Sequence, residues 1–211
     1  HRIMDGGKPT LLFISYLLLF LSSFYMGFMI GVFTFLYFFC RLMTDRKRYG
    51  RTLPVYLITS LLAGGASMVT ILPTVLDLKN NGESLNSLTT WWQGGTGIWD
   101  LVSKSMVGVY DTSKYLSAPF IYVGLLPLVF FIWYFVTKKI PLKNKLLYGG
   151  LFLLLVASVY VSPLNLFWHG MHAPNMFLHR FSFLFSFLIL LLAGHGLETF
   201  DKEAQDRFST V

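Results

Sequence analysis

The chain has 211 residues, of which 55% are hydrophobic, 18% aromatic and only 13% charged. Soluble domains carry roughly 25% charged residues, so the composition excludes a water-soluble globular protein and indicates an integral membrane protein. The formal net charge is +7, but in a membrane protein the position of Lys and Arg matters more than their sum, and no nucleic-acid partner is implied.

The single cysteine, Cys40, excludes an internal disulfide. The first residue is His1 and no signal peptide precedes the first apolar run, so we expect an internal fragment of a longer membrane protein. Residues 1–9 are polar and broken by Gly6-Gly7. From Thr10 to Cys40 no charged side chain occurs. One helix over that run would measure about 46 Å, against a hydrocarbon core of about 30 Å. It is either one tilted helix or two half-length helices meeting at Ser22-Ser23-Phe24-Tyr25, where hydroxyls interrupt the Leu/Phe run. Non-helical backbone at membrane depth requires a covering protein wall or a watery cavity. The half-helix pair, with Tyr25 facing such a cavity, is the arrangement we expect.

Arg41, Arg46, Lys47, Arg48 and Arg51 follow, opposed only by Asp45, and mark a cytoplasmic loop. Leu53 to Leu76 is the next span, entered through Pro54 and left through Pro73, with Gly64-Gly65-Ala66-Ser67 suited to close helix packing. Asp77 to Pro119 is a long mixed-charge loop on the outer side. Its Trp91, Trp92 and Trp99, interleaved with Gly94, Gly95 and Gly97, read as interfacial aromatics. Ile98 to Val109 suits a short amphipathic helix with Trp99, Val102, Met106 and Val109 on one face.

Phe120 to Val136 returns inward to the basic turn Lys138, Lys139, Lys143 and Lys145, and Leu146 to Val161 crosses outward. Trp168 to Arg180 is then external, Phe181 to Leu197 crosses inward, and Glu198 onward is a mixed-charge, soluble end. The expected fold is all-α and multi-pass, a single transmembrane region over 1–211 with about five to six membrane helices.

The segment Trp168 to Arg180 holds three of the five histidines, a Pro174-Asn175 turn and Arg180, which abuts an apolar run. A cation there either snorkels to the interface or binds an anionic group at the membrane surface. His169 and His172 lie three apart with no carboxylate or thiol nearby, which is weak support for zinc. No phosphate loop and no nucleophile elbow occur, and no general base is identifiable. No cofactor is implied by any motif, and dependence on a divalent metal stays open.

Trp168-His169-Gly170, Pro174-Asn175 and Arg180-Phe181-Ser182-Phe183-Leu184-Phe185-Ser186-Phe187 resemble the closing signature of the bacterial membrane protein YfhO family. Phe24-Tyr25-Met26-Gly27-Phe28-Met29-Ile30-Gly31 and Leu72-Pro73-Thr74 resemble its earlier blocks, in the same order. Where that family often has Asn before the aromatic-Tyr pair, this chain has Ser23. The family is similar to the GT-C class of integral membrane glycosyltransferases. The resemblance implies transfer of a sugar from an undecaprenyl-phosphate carrier to an extracytoplasmic acceptor such as teichoic acid, in the cytoplasmic membrane of a Gram-positive bacterium. Its implied partners are the lipid-linked sugar donor, membrane lipids and a cell-envelope polymer. It implies Arg180, His169, Trp168, Asn175, His179 and Tyr25 as residues around the donor phosphate or substrate, and a catalytic acid upstream of residue 1. The rival readings are a transporter or flippase of a lipid-linked sugar and a structural subunit without chemistry.

Overall fold

The structure is a computed structural model that describes residues 7–80, 121–171 and 178–209, together with Met4, 91–92, 97, 99–106 and 108. Among the described residues its regular structure is helical, with one isolated bridge and no strand. The chain divides into two compact units, residues 1–87 with 167–172, and residues 88–166 with 173–211.

The first unit begins with α1 (Thr10–Ser22) and α2 (Phe24–Thr44), separated by Ser23 alone. Ser23 is extended, at φ −159° and ψ 103°. It ends one helix and starts the next: its N–H donates to the Leu19 carbonyl at 3.0 Å, and its hydroxyl accepts from the Met26 N–H at 3.4 Å. Serine and asparagine are both strong N-caps, so the residue that departs from the family pattern keeps a capping function.

The two helices double back on each other. A Cβ on Gly27 would lie 2.8 Å from Cδ1 of Phe20, so a larger residue there would force that ring to shift. Further from the tip, the Tyr16 hydroxyl pairs with Thr34 and, at 3.0 Å, with the Tyr56 hydroxyl. At the open end, buried Met4, Phe38, Leu42, Tyr49 and Tyr56 form one apolar cluster. The break expected near Ser22–Tyr25 is therefore present, but the two halves are unequal. With 21 residues α2 is long enough to cross a membrane alone, whereas α1 has 13. The expectation of two half-length helices holds for α1 and not for α2.

A short basic helix, α3 (Arg46–Tyr49), capped by the Asp45 side chain, leads through a 3-10 turn into α4 (Leu53–Ala66) and α5 (Met68–Asn80). The single span expected over Leu53 to Leu76 is bent by 50° at Ser67. Ser67 is fully buried and its hydroxyl donates to the Ala63 carbonyl at 2.7 Å. Such back-bonding beside a Gly-Gly pair is a recognised cause of helix kinks. Pro73 lies inside α5 rather than at its exit. Gly64 and Gly65, expected at a packing seam, have no atom within 4 Å of where a Cβ would sit. Ala63 and Ser67 are the buried small residues instead.

In the second unit, α6 (Asp100–Lys104) precedes α7 (Leu125–Val136), α8 (Leu142–Tyr160) and α10 (Ser182–Ser209); α9 (Ser162–Trp168) lies between the last two in sequence. α7 starts later than the expected Phe120 because Gly124, at φ +97°, breaks the helix before Leu125. α8 starts earlier than the expected Leu146 and so carries Lys143 and Lys145 in its first turns. Cations at a helix N-terminus oppose its dipole. Lys145 offsets this by donating to the Phe135 carbonyl at 2.7 Å, which caps the C-terminus of α7.

Phe152 of α8 ties the unit together, with ring centroids 5.0 Å from Phe131 of α7 and 4.7 Å from Phe185 of α10. α7 and α10 are in close contact where Gly196 meets the Phe130 carbonyl. Among the described residues three helices are long and apolar enough to cross a membrane, or four if the bent α4–α5 pair counts as one span. α1 and α7 are shorter apolar helices. The protein is an all-α membrane protein.

Candidate functional site

The Trp168–Arg180 segment is built on α9. Its start is fixed from outside the helix: the Ser162 N–H donates to the Trp91 carbonyl at 3.0 Å and Val161 pairs with Trp92. Pro163 sits in the first turn, where a missing N–H costs nothing. The helix stops at Gly170 and Met171, both left-handed at φ +66° and +65°. Glycine tolerates that conformation freely, whereas Met171 adopts it at some steric cost. Gly170 of the Trp-His-Gly block thus ends the helix in a turn, with its N–H on the Phe167 carbonyl at 3.1 Å.

In the first unit, Trp168 and His169 are each 1% exposed. The His169 ring lies 5.9 Å from the Tyr25 ring, tilted by 46°, and the Phe167 ring lies 6.1 Å from that of Phe28. The opening turns of α2 therefore meet Phe167 and His169, on either side of the buried Trp168. Of the residues singled out in the sequence, Tyr25 and His169 are brought into ring contact here.

In the second unit, His179 is buried and Arg180 is exposed. Nδ2 of Asn165, itself 1% exposed, lies 3.2 Å from the Leu178 carbonyl oxygen and 3.2 Å from Nδ1 of His179. A carbonyl only accepts, so the atom facing it is the amide nitrogen and the orientation of the side chain is settled. The same nitrogen then donates to Nδ1, which must offer its lone pair. A neutral His179 accordingly carries its proton on Nε2. Asn165 was not picked out from sequence, although an amide inside an apolar run near a membrane is a functional signal.

The His179–Phe181 turn leads straight into α10, with the Ser182 N–H on the His179 carbonyl at 3.0 Å. Arg180 thus stands just before the N-terminus of a 28-residue helix. Both the guanidinium and the helix dipole favour an anion there. Asn175, like His172 and Pro174, lies outside the described residues. Among the described residues no three His, Cys, Asp or Glu side chains gather as a metal site requires.

No curated protein and no solved structure matches the chain. A family model, Bacterial membrane protein YfhO, matches residues 1–211. The capped break before Phe24-Tyr25, the helix stop at Gly170 and the Arg180 turn before α10 all fall inside that match, and the chain belongs to the bacterial membrane protein YfhO family.

Proposed function

We propose that this chain is core machinery of a membrane glycosyltransferase that takes a sugar from a polyprenyl-phosphate carrier. The observation that carries the reading is the exposed Arg180 standing at the N-terminus of the membrane helix α10. A lipid-linked sugar presents its phosphodiester where the lipid tail meets water. An arginine at the mouth of a span suits that group in charge and in geometry.

In the reaction proposed, an acceptor hydroxyl attacks the anomeric carbon while the bond from that carbon to the phosphate oxygen breaks. The electron pair stays on the lipid phosphate, and Arg180 stabilises the charge that develops there. A base receives the hydroxyl proton; we assign that base to an acidic residue upstream of residue 1. His179, beside Arg180 in the same unit, adds an Nε2–H donor to the surroundings of the phosphate. The proposed acceptor is a cell-envelope polymer such as teichoic acid, outside the cytoplasmic membrane of a Gram-positive bacterium.

The test is transfer of radiolabelled sugar from a synthetic polyprenyl-phosphate carrier by the full-length protein in liposomes. We expect label in the acceptor polymer with release of lipid phosphate. Movement of intact lipid-linked sugar across the bilayer without transfer would instead establish a flippase. The transporter reading gains nothing from α2, which carries no charged side chain from Phe24 to Cys40.

A further inference from the structure

α6 is inside out for a helix facing water. Its two buried positions are Leu101 and the cationic Lys104, the latter only 3% exposed. On the opposite side, Trp99, Val102 and Met106 share one face by helical spacing and are 76%, 48% and 51% exposed. Water would select the reverse, with the ammonium outward and the tryptophan inward. A cation turned toward protein and apolar groups turned outward is the arrangement that lipid selects.

The location of α6 agrees with this. The Tyr160 hydroxyl, on the last residue of α8, donates to the Gly97 carbonyl at 3.3 Å. Trp92 pairs with Val161, and the Trp91 carbonyl accepts from the Ser162 N–H. These three links tie the segment to one end of a membrane-length helix, the end opposite Lys143 and Lys145. A segment held at the end of a span lies at the depth of the lipid headgroups. Trp91 and Trp92 are 73% and 70% exposed at that level, where indole rings favour the boundary between hydrocarbon and water.

We propose that Trp91, Trp92 and the Trp99–Met106 turn and helix form an interfacial foot, whose partner is the bilayer surface at the Tyr160 end of α8. Trp99, Val102 and Met106 dip into the acyl boundary while Leu101 and Lys104 face the protein. Because Trp91 and Trp92 are bonded to Ser162 and Val161, the foot also fixes the start of α9, one turn before Asn165. The inference does not depend on the sugar-transfer reading.

The experiment places a nitroxide at Val102→Cys or Met106→Cys, in a Cys40→Ser background, with the full chain in phosphatidylcholine–phosphatidylglycerol liposomes. Lys139→Cys, on the basic turn, serves as the aqueous reference. We expect both α6 labels to collide more often with oxygen than with a water-soluble nickel chelate, at a depth of about 5–10 Å. Nickel accessibility equal to that at Lys139 would put the face in water and overturn the proposal. Immobilised, spin-broadened spectra would assign the face to a second copy or another protein, and would overturn it equally. Iodide quenching gives a second measurement on the native side chains. It should be weak in the parent protein and unchanged in Trp91→Phe/Trp92→Phe/Trp99→Phe. Strong quenching in the parent that disappears in the triple variant contradicts burial in lipid.

Discussion

The side-chain amide of Asn165 donates to Nδ1 of His179 across 3.2 Å and to the Leu178 carbonyl at the same distance. One buried amide thereby fixes both the turn before Arg180 and the tautomer of the histidine within it.

Replacing that amide by a carboxylate reverses the relation. In Asn165→Asp the acceptor oxygen requires a proton on Nδ1, which leaves the lone pair on Nε2. The nitrogen-15 pattern of His179 should show the Nε2–H tautomer in the parent and the Nδ1–H tautomer in the variant. Asn165→Leu removes both bonds at a site 1% exposed and should cost roughly 1–3 kcal/mol of stability. A parent spectrum with the neutral proton on Nδ1 would contradict the geometry.

Gly196 and Gly194 make a matched pair on α10. A Cβ at Gly196 would collide with the Phe130 carbonyl oxygen and stand 3.1 Å from the Phe130 carbonyl carbon, whereas nothing lies within 4 Å at Gly194. The obstacle is backbone, so no rotamer relieves it and α7 must move away from α10. Gly196→Ala should destabilise the protein by about 1–3 kcal/mol, the usual cost of overpacking. Gly194→Ala should stay within about 0.5 kcal/mol. Unfolding in mixed micelles by titration with sodium dodecyl sulfate measures both, and equal effects would show that α7 and α10 are not packed at this glycine.

The contrast between these glycines bears on how much the sequence alone conveys. The break at Ser23 is legible because hydroxyls interrupt a long Leu/Phe run, and serine caps helices. The bend at Ser67 is not, because Pro73 is the more conspicuous breaker and yet rides inside α5. Its N–H is missing one turn into the helix, while the Ser67 hydroxyl competes for the Ala63 carbonyl. In the site, the histidines and Arg180 announce themselves by charge against an apolar background. Asn165 does not, because its partner His179 is fourteen positions away and only the fold joins them. Lys104 misleads in the other direction: a lysine in a mixed-charge loop reads as solvated, and it is buried.

The hydroxyl cluster of the first unit should be measurable as a coupling. Tyr16 pairs with Thr34 and lies 3.0 Å from the Tyr56 hydroxyl, while Thr34 also donates to the Ile30 carbonyl at 2.7 Å. Hydrogen bonds between membrane helices average about 0.6 kcal/mol and reach about 1.7 kcal/mol. Tyr16→Phe and Tyr56→Phe should each destabilise by about that much. Their double variant should cost less than the sum, because the bond between them is lost only once. Strict additivity would mean that the two hydroxyls do not interact in the membrane.

Arg180 decides between an anchor and a phosphate grip. It is exposed at the start of α10, where a long cation can also snorkel to the headgroups. A snorkelling role is satisfied by lysine, which keeps the charge and the reach. A grip on a phosphodiester uses two parallel donors of a planar guanidinium, and lysine cannot reproduce the second. Charge-assisted hydrogen bonds are worth roughly 1.5–3 kcal/mol. Since about 1.4 kcal/mol corresponds to a factor of ten, Arg180→Lys should slow sugar transfer by about ten- to a hundredfold. Arg180→Ala should nearly abolish it, with insertion and yield unchanged because the side chain is exposed and its loss opens no cavity. Transfer is measured with the full-length protein over a range of carrier-lipid concentrations up to saturation, so that weakened donor binding and slowed chemistry separate in KM and kcat. Parental turnover in Arg180→Lys would remove the phosphate grip and leave the arginine as a membrane anchor.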